Sequence, residues 1–168
     1  LGGLCSCACA YAFGGETAQA ALAFVVLGIL TVVALMDMDT LEIYDRFPAL
    51  LFVCGIAAHI LIPSLGIKSR LIGCVIVSVP MLLLALIVPG GFGGGDIKLA
   101  GATGLVLGLP ASLTASCLGL TGFVMYGCMV CLWNRFKGKR DKEAFPVGPF
   151  LAGGAAAVYC MRLGGWMI

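Results

Sequence analysis

The chain has 168 residues, of which 61% are hydrophobic and only 11% charged, with a formal net charge of +2. A soluble domain carries about 25% charged residues, so this composition, with a mean hydropathy of +1.12, calls for a bilayer as solvent. The small net charge and the lack of a basic stripe interleaved with aromatics give no basis for a nucleic-acid partner.

In chain order, Leu1 to Phe13 is a short, small-residue-rich apolar stretch closed by Gly14-Gly15-Glu16. No basic region precedes it, so no cleaved signal peptide is expected. Thr17 to Met36 is charge-free and long enough to cross, given that a span needs about 20 apolar residues. A polar loop from Asp37 to Arg46 follows, then a span over Phe47 to Ile67 and a basic turn, Lys68-Ser69-Arg70. Leu71 to Val88 spans again and leads into a glycine-rich connection. The long apolar stretch beyond Leu99 exceeds one crossing, and Gly108-Leu109-Pro110 supplies a break. The expectation is therefore a short span over 96–109 and another over 111–133. A basic loop holding Arg135, Lys137, Lys139, Arg140 and Lys142 precedes the last crossing, 145–161. The predicted fold is all-α: a single polytopic membrane domain over 1–168 with six to seven transmembrane helices.

The positive-inside rule sets the orientation. With the loop at 135–144 cytoplasmic, alternation places 37–46 and 89–98 on the same side. Seven of the ten basic residues then lie inside, and so do seven of the eight acids, Glu16 being the exception. Acids do not determine topology, so their gathering on one face points to a use for carboxylates there.

Two places on that face can do chemistry. At Asp37-Met38-Asp39 an apolar helix runs straight into an acid. At Gly93-Gly94-Gly95-Asp96-Ile97-Lys98 a glycine run ends in an acid that opens the next helix. Two carboxylates held close in a poorly solvated place share a proton and titrate as a unit. One can then activate a water while the other donates to a peptide carbonyl. Asp96 is also placed to cap its helix, and Gly93 and Gly95 allow close backbone approach.

Ala34-Leu35-Met36-Asp37-Met38-Asp39 with Asp45 six residues on resembles the Asp-x-Asp segment of type IV prepilin peptidases. Gly93-Gly94-Gly95-Asp96-Ile97-Lys98 is similar to that family's Gly-x-Gly-Asp-x-Lys motif. Phe145-Pro146-Val147-Gly148-Pro149-Phe150-Leu151-Ala152 is similar to its third signature. The resemblance implies Asp37 and Asp96 as catalytic aspartates, with Asp39, Asp45, Gly93, Gly95 and Lys98 in supporting or substrate-binding positions. It implies an aspartic-type endopeptidase of a prokaryotic cytoplasmic (inner) membrane, with its active site facing the cytoplasm. The implied substrate is a prepilin or pseudopilin with a short basic leader and a hydrophobic helix. Acids at 37, 39, 42 and 45 against Arg46 alone suit such a leader.

The chain departs from the larger members in lacking their N-terminal region with paired C-x-x-C motifs, so it reads as a short form. No place for S-adenosylmethionine is evident, and methylation of the mature pilin is not expected. Tyr44 replaces the usual proline before Asp45. Most of the nine cysteines lie in apolar runs, and Cys128 and Cys131 have no second pair beside them; no metal, disulfide or cofactor is expected.

The same residues admit other readings. His59, the one histidine, reads as a neutral, hydrogen-bonded helix-contact residue. A signal-peptide-peptidase-like enzyme would place Tyr-Asp within its first catalytic span, whereas Tyr44-Asp45 follows the helix. A small proton- or cation-coupled transporter using Asp37 and Asp96 is the alternative from another class. Transport sites lie near the bilayer midplane, whereas both acids here abut polar loops.

Overall fold

A computed structural model describes residues 17–62, 65–87, 93–137 and 146–163. The expected first span, 1–13, and the loop residues Lys139, Arg140 and Lys142 lie outside the described residues. Among the described residues six helices follow one another: α1 (Thr17–Thr40), α2 (Arg46–Leu61), α3 (Ile67–Ile87), α4 (Gly94–Leu107), α5 (Ala111–Lys137) and α6 (Gly148–Leu163). No strand occurs among the described residues. The segments Ala18–Thr40, Ile67–Ile87 and Ala111–Lys137 are long and apolar enough to cross a membrane. The chain is an all-α polytopic membrane protein.

Several boundaries differ from those read in the sequence, and each shift has a cause. The first helix runs one turn past Met36 to Thr40, and Leu41, at φ 55°, then ends it. Asp37 and Asp39 are therefore helical rather than in a loop. α3 starts at Ile67, so Lys68-Ser69-Arg70 forms its first helical turn instead of a basic turn between two spans. The break at Gly108-Leu109-Pro110 separates α4 from α5 as the glycine and proline there dictate. Gly108, at φ 68°, turns the chain. Ser69 Oγ donates to Leu109 O at 2.7 Å and accepts from Leu109 N at 3.0 Å, tying that turn to α3.

α4 is the axis of the bundle. Eight of its 14 residues are buried, and it packs most extensively on α3 and α2, with further contacts to α5 and α6. Small residues make this possible. Gly104 stands directly against the Gly73 carbonyl of α3, and a Cβ at Gly55 of α2 would come 2.8 Å from Leu105 Cδ2. α1 joins α6 and α2, and α5 meets α6 where Gly119 and Gly154 touch. Leu51, Leu99, Val26, Val33 and Val158 fill the space between, while Val53, Leu86 and Ile87 face outward, as lipid-facing side chains do.

At the end of the bundle where α2 and α4 finish, Arg70 is only 1% exposed. Its Nη1 donates to Leu105 O at 3.1 Å and Val106 O at 2.9 Å; its Nη2 donates to Ala58 O at 2.9 Å and Ile62 O at 3.3 Å. Arg162 Nη1 donates to Leu107 O at 2.7 Å. These carbonyls lie at the partly negative ends of two helices, the Ala58 carbonyl also accepting the Ile62 N–H at 2.9 Å. The two arginines that topology alone would leave as stray charges are thus helix caps. Replacing Arg70 by Met removes the donors to the Leu105, Val106 and Ile62 carbonyls and is expected to cost about 2–4 kcal/mol. Arg70→Lys, which keeps the charge but loses the fork, should cost less. Unfolding in detergent micelles, followed by circular dichroism against denaturant, measures both.

Candidate active site

Both acids singled out by the sequence lie at the opposite end of the bundle from Arg70, and both are inside it. Asp37, in the last turn of α1, is 4% exposed; Asp96, in the first turn of α4, is 7% exposed. Their helix-end environments differ. Asp96 sits at a helix N-terminus, where the macrodipole favours a carboxylate. Its Oδ2 accepts the Gly93 N–H at 3.2 Å, reaching back over the turn that begins with Asp96 N donating to Gly93 O. Asp37 lies at the C-terminal end of its own helix, an unfavourable position for a negative group. The compensation comes from α6: the Gly148 N–H, at that helix's first residue, donates to Asp37 Oδ2 at 2.8 Å.

The two carboxyl groups lie within electrostatic range of each other. Asp96 Oδ1 is buried and has no hydrogen-bond partner among the described residues. Each acid is therefore anchored through one oxygen, Oδ2, to a backbone amide, and Asp96 presents the other oxygen unpaired. That arrangement can hold and activate a water between two acids.

The supporting positions divide into two groups. Asp39 is exposed; two residues on from Asp37, it lies about 200° round the helix and does not join the buried pair. Asp45 and Lys98 meet in an ion pair, Nζ to Oδ1 2.6 Å, with their side chains 70% and 53% exposed respectively. Among the glycines, Gly95 is the most constrained: a Cβ there would stand 2.7 Å from Ile43 Cβ and 2.9 Å from Ile43 O. At Gly93 a Cβ would approach Asp96 Oδ2 to 3.2 Å, and at Gly94 it would meet nothing. His59, in the last turn of α2, has its buried Nδ1 without a hydrogen-bond partner among the described residues, against the expectation of a hydrogen-bonded one.

One residue of the site was quoted in a motif but not assigned to it. A Cβ on Gly148 would fall 2.8 Å from both Cγ and Oδ2 of Asp37, so glycine is what lets the α6 amide reach the carboxylate. The signal was its place in Pro146-Val147-Gly148-Pro149, but nothing in the sequence said that this turn meets α1.

A helical membrane bundle with a buried acid pair at one end is the class that fold and geometry define. The sequence pattern of the type IV leader peptidase family matches residues 24–133, and the chain belongs to that family. The matched stretch contains both Asp37 and Asp96. A prepilin leader peptidase/N-methyltransferase of Bacillus subtilis (strain 168) is 28% identical over 137 residues, covering 82% of this chain and 54% of the relative. The chain thus spans about half the length of that relative. No solved structure gives a significant match.

Gly148→Ala is expected to push Asp37 off the α6 amide while leaving the helices intact. Loss of one charge-assisted hydrogen bond and its alignment should lower the rate of any reaction that uses the acid pair by about 10²-fold. Unchanged circular dichroism alongside the assay separates this from misfolding.

Proposed function

We propose that the protein is a membrane aspartyl endopeptidase that removes the short basic leader from prepilins or pseudopilins at the cytoplasmic face of a prokaryotic inner membrane. The observation that carries this reading is the buried pair, Asp37 and Asp96, each fixed through one carboxyl oxygen to a helix-start amide. Membership of the leader peptidase family supports it. Neither the family nor the B. subtilis relative gives any support to the transporter alternative.

The pair holds one shared proton. Its ionised member takes a proton from water as that water attacks the scissile carbonyl, and its protonated member hydrogen-bonds the carbonyl oxygen as negative charge develops. The proton then passes to the leaving amine, which returns the pair to its starting state. Burial strengthens every one of these interactions, because the surroundings cannot screen them. At the entry to α4, Gly94 has open space around it and offers the substrate backbone an approach beside Asp96.

Specificity for a basic leader follows from charge outside the pair. Lys98 neutralises Asp45, so Asp39 and Glu42, both exposed, remain to attract a basic segment at the membrane surface. By the alternation of spans read in the sequence, seven of the ten basic residues belong to this side, which supports placing it in the cytoplasm.

Membranes co-expressing a prepilin with wild type, Asp37→Asn or Asp96→Asn provide the test. Wild type should release the leader, seen as a gel shift and by mass of the new N-terminus. Each Asn variant should lose about 10²–10⁴-fold in rate, the usual contribution of a positioned acid or base. Full activity in either variant would overturn the pairing.

A further inference from the structure

α1 and α4 carry the two acids but make no extensive contact with each other. A small apolar cavity bordered by Val26 and Leu30 of α1 and by Thr103 and Val106 of α4 lies between them. Their separation at the acid end must be set by something else. α6 supplies one connection, through Gly148 to Asp37. The second is the segment 41–45, which leaves α1 four residues after Asp37 and lies down on the first turn of α4.

Three independent features hold that segment in place. Leu41 occupies the left-handed region at φ 55°, a conformation that a branched, non-glycine residue keeps only where its surroundings enforce it. Its N–H donates to Asp37 O at 3.0 Å, so the strained residue is bonded to the aspartate's own backbone. Ile43 then rests on Gly95, whose missing Cβ is the space that the Ile43 carbonyl and Cβ occupy. Finally Asp45 reaches Lys98, two residues after Asp96, across 2.6 Å. The chain between the acids is thus fastened at both ends: to Asp37 through Leu41, and to the turn carrying Asp96 through Ile43 and Asp45.

We infer that the Asp45–Lys98 ion pair is a strut that sets the spacing of Asp37 and Asp96, making Asp45 and Lys98 positioning residues rather than contacts for substrate. Both side chains are more than half exposed, so the pair adds little to global stability; its effect is on alignment. A direct role predicts otherwise: Asp45 contacting the basic leader, or Lys98 an acidic substrate group, would act through binding and would not depend on the other partner.

The inference rests on the proposed peptidase activity for one of its readouts and is independent of it for the other. The proteins are wild type, Asp45→Asn, Lys98→Met and the exchange Asp45→Lys with Lys98→Asp, each full-length in lipid nanodiscs. Hydrogen exchange read by mass spectrometry should show faster deuterium uptake over residues 41–47 in both single variants and near-wild-type uptake in the exchange. With a prepilin substrate, the singles should lose about 10²-fold in kcat, the scale of a small misplacement at a reacting centre, with KM nearly unchanged. The exchange should recover most of that loss. Unaltered uptake in the singles, an exchange no better than either single, or a loss expressed in KM would each overturn the strut. Absence of cleavage by wild type would count against the proposed function, while the exchange measurement would still decide the strut.

Discussion

A helix in a membrane satisfies its own backbone everywhere except at its ends, and this protein is organised around that exception. α4 has 14 residues, about 21 Å at 1.5 Å per residue, against a hydrocarbon core of about 30 Å. Its ends cannot both reach water, so other groups in the bundle must pair with them. At the N-terminal end the Asp96 carboxylate turns back onto Gly93 N–H; at the C-terminal end Arg70 and Arg162 take the carbonyls of 105, 106 and 107. The polarity of one short helix thus accounts for a buried anion at one end and, at the other, one buried cation and one half-buried.

The same constraint explains why the acid site is built from helix starts. Asp37 comes from a helix C-terminus, where a negative charge is disfavoured, and is stable there because the first amide of α6 is aimed at it. Glycines at 93, 95 and 148 keep the approach open in three places for one reason: a side chain would occupy the room that a backbone group or carboxylate needs. Packing further along the bundle uses small residues in the same way, with Gly73 against Gly104 and Gly119 against Gly154 letting backbones touch.

Much of this was legible in the sequence. Charge-free runs gave the helices, and the Gly-Pro break separated α4 from α5 because those residues cannot continue a helix. The two acids stood out by type and by their shared face. What could not be read was which groups would compensate for burial. Arg70 looked like part of a basic turn because its partners are backbone carbonyls 8 to 36 positions away, which no side-chain pattern records. Gly148 was visible as a motif member, yet its contact with Asp37 spans 111 positions and depends on how α6 docks on α1. The helix past Met36 ended later than its composition suggested, since polar residues at a bundle's rim can stay helical when their side chains find partners.

The bond between Gly148 and Asp37 also has a bearing on biogenesis. One partner lies in the first described helix and the other in the last, so the ribosome must deliver, and the membrane must accept, every helix in between before the contact can exist. A nascent chain inserted only as far as α5 holds both aspartates but not the amide that orients the first. Assembly order is thereby written into the site: the aspartate made early waits for an amide made 111 positions later.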